Sequence, residues 1–269
     1  MKIYGRLIIY GEYLMDKMYG LIIRSNMYLS RFVDNVYETH PSYNYSKDMV
    51  ASILERHGVF TQRRLCGNLH FGYGFASSTV LTIIHAYDQL DDESLRLYTK
   101  MIDACIHGFT PSGVDTESCL SQNDGLYYDN KWQDIEIVPL QYILFGLKRE
   151  SEVPLMSIKR KMQKNSDLLI NLSNILTKTL VSKKYLDYNI FYKYCKALRE
   201  INPYSSIAGS FIKDVLGVGL PAKCVGGLHN KAVMVVFNDA TVKEKNIVLQ
   251  IATKYSPHFI VPSDKHLTF

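Results

Sequence analysis

The 269-residue chain has no long apolar run, a single tryptophan, and five cysteines with no CxxC spacing among them. Each shortage closes off a class of protein. An odd set of cysteines at 66, 105, 119, 195 and 224 offers neither zinc-ligand spacing nor a disulfide framework, so a reducing compartment is expected. The apolar run Leu7–Tyr10 stops at Gly11 and Glu12, too short for a signal peptide or a membrane span; a cytoplasmic location with no membrane partner is the expectation. Charge of one sign is not concentrated either. Against 26 acidic residues there are 31 basic ones, clustered only at Lys159-Arg160-Lys161 and Lys183-Lys184; these are weak evidence for nucleic acid and read better as solvated helix faces, so no nucleic-acid partner is expected. No internal repeat or low-complexity linker divides the chain.

What is present is 47% hydrophobic content, enough to bury a sizeable core in one large domain or two smaller ones. Residues 2–10 and 21–30 are rich in β-branched and aromatic types and read as strands. Residues 45–56 fit a short helix stopped by Gly58. From 77 to 87 the apolar positions are nearly continuous, which predicts a helix buried on most sides. The stretch 91–106 opens on acids and closes at His107-Gly108, the pattern of a capped helix. Asp129-Asn130 marks a hairpin turn, with extended chain over 135–147. Helical patterns then dominate 153–199 and 205–216, followed by a strand at 231–237, a helix at 241–254 and a strand at 258–261.

Two stretches carry chemistry. In HFGYGFASST, residues 70–79, two glycines and a set of hydroxyls lead into the buried helix. Backbone N–H groups and the positive end of a helix dipole would converge there, which makes an anion site; a tight turn with an ordinary N-cap is the alternative. The spacing matches neither the P-loop nor the dinucleotide fingerprint. In HGFTPSGVDT, residues 107–116, Pro111 and Gly113 hold Asp115 on a rigid loop. Such a carboxylate can accept a proton from a hydroxyl nucleophile if a nearby cation keeps it ionised. An aspartate capping its own turn is the alternative.

Taken together and in order, these stretches resemble the motifs of the GHMP kinases, the mevalonate kinase branch most of all. GRLIIYGEY at 5–13 is similar to the first motif, G-K-x-x-x-x-G-E-[HY]; residues 70–79 are similar to the second, P-x-G-x-G-L-G-S-S-A. IHGFTPSGVD at 106–115 resembles I-H-G-x-P-S-G-V-D, with one extra residue. The resemblance spans 2 to about 237. It implies an α+β fold of two lobes, an N-terminal ATP-binding lobe over 1–150 and a C-terminal lobe over 151–269, with the active site in the cleft between them.

By position, the resemblance implies that Gly72, Gly74, Ala76, Ser77, Ser78 and Thr79 wrap the phosphates of ATP. Ser78 and Asp103 would hold Mg²⁺, Asp103 standing where mevalonate kinases have a glutamate. Asp115 matches the catalytic aspartate. Arg6 takes the place of a lysine; it keeps the charge but cannot shuttle a proton. Glu12 and Tyr13 fall near the acceptor. The third motif, K-L-T-G-A-G-G-G-G-C, corresponds to KCVGGLHNKA at 223–232, in which only Gly226 and Gly227 survive of the glycine run, as further substrate contacts. His229 and Lys231 could add cationic contacts or simply form a surface turn. The implied activity is phosphoryl transfer from ATP to an alcohol group of a small metabolite, a mevalonate-like hydroxy acid or a hydroxy amino acid. Two other readings stay open: a GHMP fold that binds nucleotide without catalysis, and an RNA-binding protein suited to the basic pI and 20 tyrosines, although these are dispersed.

Overall fold

The computed structural model describes residues 1–12, 14–31, 43–61, 65–108, 111–148, 162, 166–201, 206–226, 232–238 and 240–263. The readings at Tyr13, Gly227, His229 and Lys231 lie outside these residues, as does most of the helical stretch expected between 153 and 165. Within them, two antiparallel sheets organise the chain. The first has the order β1 (Lys2–Tyr10), β2 (Gly20–Arg31), β4 (Gly125–Tyr128), β5 (Lys131–Asp134), with β3 (Leu65–Gly67) also on β2. The second runs β7 (Ala222–Cys224), β8 (Ala232–Val236), β6 (Tyr142–Gly146), β9 (Phe259–Pro262). β6 therefore joins the second sheet although it precedes residue 150, the expected boundary.

Helix α2 (Ser77–Ala86) is the centre of the N-terminal half. Its residues from Ser78 to Ala86 are all buried, as the continuous apolar pattern requires. Val80, Leu81, Ile83 and Ile84 are wholly out of water, each contributing about 1.5–3 kcal/mol. The helix lies against β1 and β2 with α1 (Tyr43–Arg56), α3 (Asp92–His107) and α4 (Val114–Ser121) around it. The side chain of Asp91 caps α3 by accepting from the Ser94 amide, and Gly108 ends it in the left-handed conformation. Asp129 and Asn130, at φ 47° and 61°, form the two-residue turn between β4 and β5. Helices α5 (Ser166–Lys183), α6 (Tyr188–Ile201), α7 (Ser206–Gly217) and α8 (Val242–Tyr255) belong to the C-terminal half; α8 starts with a capping box between Thr241 and Glu244. Among the described residues no helix is long and apolar enough to cross a membrane.

The sequence reading places Asp115 on a loop. It sits instead in the first turn of α4, which Gly113 enters at φ 81°. At the far end of β1 the chain turns sharply at Gly11, φ 96°, where an added Cβ would meet the Gly20 nitrogen at 3.0 Å. Both the backbone angle and the neighbouring strand exclude a side chain there. Gly11→Ala is expected to destabilise the fold by about 1–3 kcal/mol, read as a lower urea midpoint with unchanged slope.

Candidate active site

The glycine loop runs from β3 to α2. Gly72 and Gly74 take φ 75° and 84°, and Ala76 takes φ 56° as the N-cap of α2. The first helical bond is Val80 N–H to the Ala76 carbonyl, so the amides of Ser77, Ser78 and Thr79 lie ahead of the hydrogen-bond ladder. A helix start of this kind favours an anion. The Arg6 amide donates to the Phe75 carbonyl at 3.2 Å, laying the loop along the outer edge of β1.

Beneath the loop, the hydroxyls of Ser78 and Thr79 each donate to a different oxygen of Asp103 at 2.7 Å. All three side chains are buried. A carboxylate with adjoining hydroxyls at the mouth of an anion-binding helix is a hard-oxygen donor set. It fits Mg²⁺, which takes one or two carboxylates and completes its shell with phosphate oxygens and water. Among the described residues there is no cluster of three or more His, Cys, Asp or Glu side chains that could hold a metal by itself, so the phosphates would have to complete the shell.

Asp115 is half-buried, yet the protein around it is dense enough to penalise its charge. Burial and, after it, the Asp103 carboxylate raise its pKa, the Arg6 guanidinium pulls the other way, and the balance stands at about 7. Arg6 is 1% exposed and donates through Nη1 to the Asn123 carbonyl, past the end of α4, at 3.0 Å; among the described residues its Nε and Nη2 have no hydrogen-bond partner. Two acids and one cation thus share a poorly solvated corner. Cys119 lies in the same corner, and burial holds its thiol up at about 12, which keeps it protonated.

Glu12 is 4% exposed and engaged internally. It forms an ion pair with Lys223 of β7 and accepts from the Tyr194 hydroxyl on α6 at 3.2 Å. The same hydroxyl accepts from the Gly11 amide at 3.0 Å, and Lys223 Nζ also donates to the Ile8 carbonyl at 2.8 Å. Two residues past β7, Gly226 adopts φ 76° and abuts Gly74: a Cβ on Gly74 would stand 2.5 Å from the Val225 carbonyl oxygen and 2.7 Å from the Gly226 Cα. The structure thus brings Gly74 to Gly226 and Ser78 to Asp103, with Arg6 beside Asp115. Sequence reasoning gave no role to Lys223 or Tyr194. A lysine between Ala222 and Cys224 in an otherwise apolar strand was the available signal. A cleft of about 890 Å³ is lined by Tyr4, Arg24, Asn26, Asn123 and Asp124 among others, and none of the predicted site residues that the structure describes lines it.

No protein-family model and no curated sequence matches the chain. Solved structures do. The mevalonate kinase of L. major in complex with R-mevalonate superposes with a TM-score of 0.71 at 15% identity, over 97% of this chain and 94% of that one. The chain has the GHMP kinase fold. The phosphomevalonate kinase of Streptococcus pneumoniae in complex with phosphomevalonate and AMPPNP gives a TM-score of 0.62 at 14% identity, covering 97% and 99%. The galactokinase of Lactococcus lactis complexed with galactose gives 0.63 at 9%, covering 98% and 92%. These GHMP kinases match nearly end to end.

The electrostatics give a pH test. The protonated form of Asp115 is favoured in the fold, so its stabilising contribution is complete below pH 4 and is lost as pH rises through about 7. In metal-free buffer, Asp115→Asn is therefore expected to match the parent near pH 4. At pH 8 it should exceed it by on the order of 2 kcal/mol, read by chemical denaturation across pH.

Proposed function

We propose that the protein is an ATP-dependent kinase that transfers the γ-phosphoryl group to a hydroxyl of a small metabolite. The observation that carries this reading is the buried Ser78–Asp103–Thr79 cluster at the start of α2, with Asp115 and Arg6 beside it, in a fold shared with mevalonate, phosphomevalonate and galactose kinases. In-line phosphoryl transfer asks little covalent chemistry of the protein, so positioning and charge neutralisation dominate.

The roles follow from the chemistry of each group. The glycine loop and the leading amides of α2 would hold the triphosphate. Asp115, with a pKa of about 7, is tuned to accept the proton of the attacking hydroxyl near neutral pH. Arg6 cannot exchange a proton; its Nε and Nη2 edge, without a hydrogen-bond partner among the described residues, would instead orient Asp115 or steady a phosphoryl oxygen. Ser78 and Asp103 would hold Mg²⁺, which when bound supplies charge neutralisation for the phosphates. The same positive charge would favour the ionised form of Asp115. Of the acceptor classes, a mevalonate-like hydroxy acid or a hydroxy amino acid is preferred. With Glu12 paired to Lys223, its carboxylate adds little net charge to repel an anionic acceptor.

A panel of hydroxylated metabolites assayed by ADP release tests the activity and identifies the acceptor. With that acceptor, Asp115→Asn is expected to slow turnover by roughly 10²-fold to 10⁴-fold while ATP affinity stays nearly constant. Turnover within about threefold of the parent would remove Asp115 as the base, since loss of a general base costs far more. Asp103→Ala is expected to impair metal-dependent turnover much more than ATP binding in metal-free buffer. Equal loss in both would mark Asp103 as a structural residue.

A further inference from the structure

Lys223 is fully buried in the middle of a three-residue edge strand, a costly place for an ammonium group. Its two partners both belong to β1 and the turn after it, the Ile8 carbonyl and the Glu12 carboxylate. Tyr194 reinforces the same turn from α6, and the Tyr10 hydroxyl pairs with Thr177 of α5 at 2.9 Å. The contacts continue into the glycine loop. β1 holds the loop through Arg6 N–H to Phe75, and the loop meets the segment after β7 where Gly74 abuts Gly226. The path β1, glycine loop, Gly226, Lys223 and back to β1 is closed.

We infer that Lys223 is a positioning residue: by gripping the Ile8 carbonyl, with its charge balanced by Glu12, it sets how far β7 advances along β1, and so seats Gly226 against Gly74 and fixes the shape of the glycine loop. The consequence for nucleotide binding rests on the function proposed above. The consequence for loop order does not. An ion pair that merely adds stability would predict something different, because its loss could be offset by removing both charges together.

The test compares Lys223→Met, Glu12→Gln and the double variant, using amide hydrogen exchange over residues 71–76 in the nucleotide-free protein and calorimetric titration with ATP. Lys223→Met strands the Glu12 carboxylate and should lower the melting temperature; the double variant buries no lone charge and should recover most of it. Glu12→Gln leaves the Lys223 ammonium without its counter-charge and should also lower the melting temperature, but it keeps the bond from Lys223 to Ile8 and should leave loop exchange at the parent level. In the double variant, loop amides are expected to exchange at least about tenfold faster while α5 and α6 amides are unchanged, with ATP bound about tenfold more weakly. Parent-level loop exchange in the double variant overturns the inference, whether or not its melting temperature recovers. So does a Glu12→Gln loop as labile as that of the double variant. If the parent binds no ATP, the proposed function fails, and the exchange data still decide the role of Lys223.

Discussion

Four charged side chains, Arg6, Glu12, Asp103 and Lys223, lie almost wholly out of water, and the arrangement of the surrounding elements follows from what each needs there. Charged groups are rarely buried to this extent without partners. Glu12 and Lys223 satisfy one another only if β1 and β7 come together from opposite halves of the chain. Asp103 is tolerated because α2 and α3 pack side by side and bring two hydroxyls to it. Arg6 reaches the Asn123 carbonyl because α4 lies against β1. Leucine or methionine at these positions would suit a purely structural core better. Charges buried at such a cost are more often found at functional sites than in purely structural cores.

Within that region the two carboxylates are not equivalent. Asp103 has a hydroxyl donor on each oxygen, whereas Asp115 stands in the first turn of α4 and is raised by burial and by Asp103 itself. Two acids whose surroundings differ in this way can divide the labour of a metal ligand and a base. The Arg6 guanidinium offsets part of the repulsion felt by Asp115 and cannot itself exchange a proton.

Much of this could be read from the residues, and the failures have physical causes. β1, β2, α2 and α3 are long, strongly patterned or clearly capped, and they fall where periodicity puts them. Helix α4 does not: VDTESCLS has too few apolar residues to announce a helix, and the Pro-Ser-Gly before it reads as loop. β3 and β7 have three residues each, below the length at which alternation carries information. That β6 joins the second sheet depends on pairing with β8 and β9, about which its local sequence says nothing. The same limit hid the latch. Lys223 and Ile8 are 215 residues apart, and only the folded chain shows that they meet. Ser78 and Asp103 were brought together by resemblance to a known motif, since nothing in their spacing alone requires it.

Gly74 and Ala76 both occupy the left-handed region, yet for different reasons. At Gly74 another backbone fills the space where a side chain would go, so no other residue fits. At Ala76 a methyl group is accommodated at the cost of an unfavourable torsion, about 1–2 kcal/mol, which packing around the N-terminus of α2 must offset. The resembling motif has glycine at both positions, but here only the sterically enforced one is kept. Spelling can therefore drift wherever a torsion alone is required, while shape persists. A chain with alanine at one of these positions and glycine at the other superposes along nearly its whole length on proteins with which it shares only 9–15% of its residues.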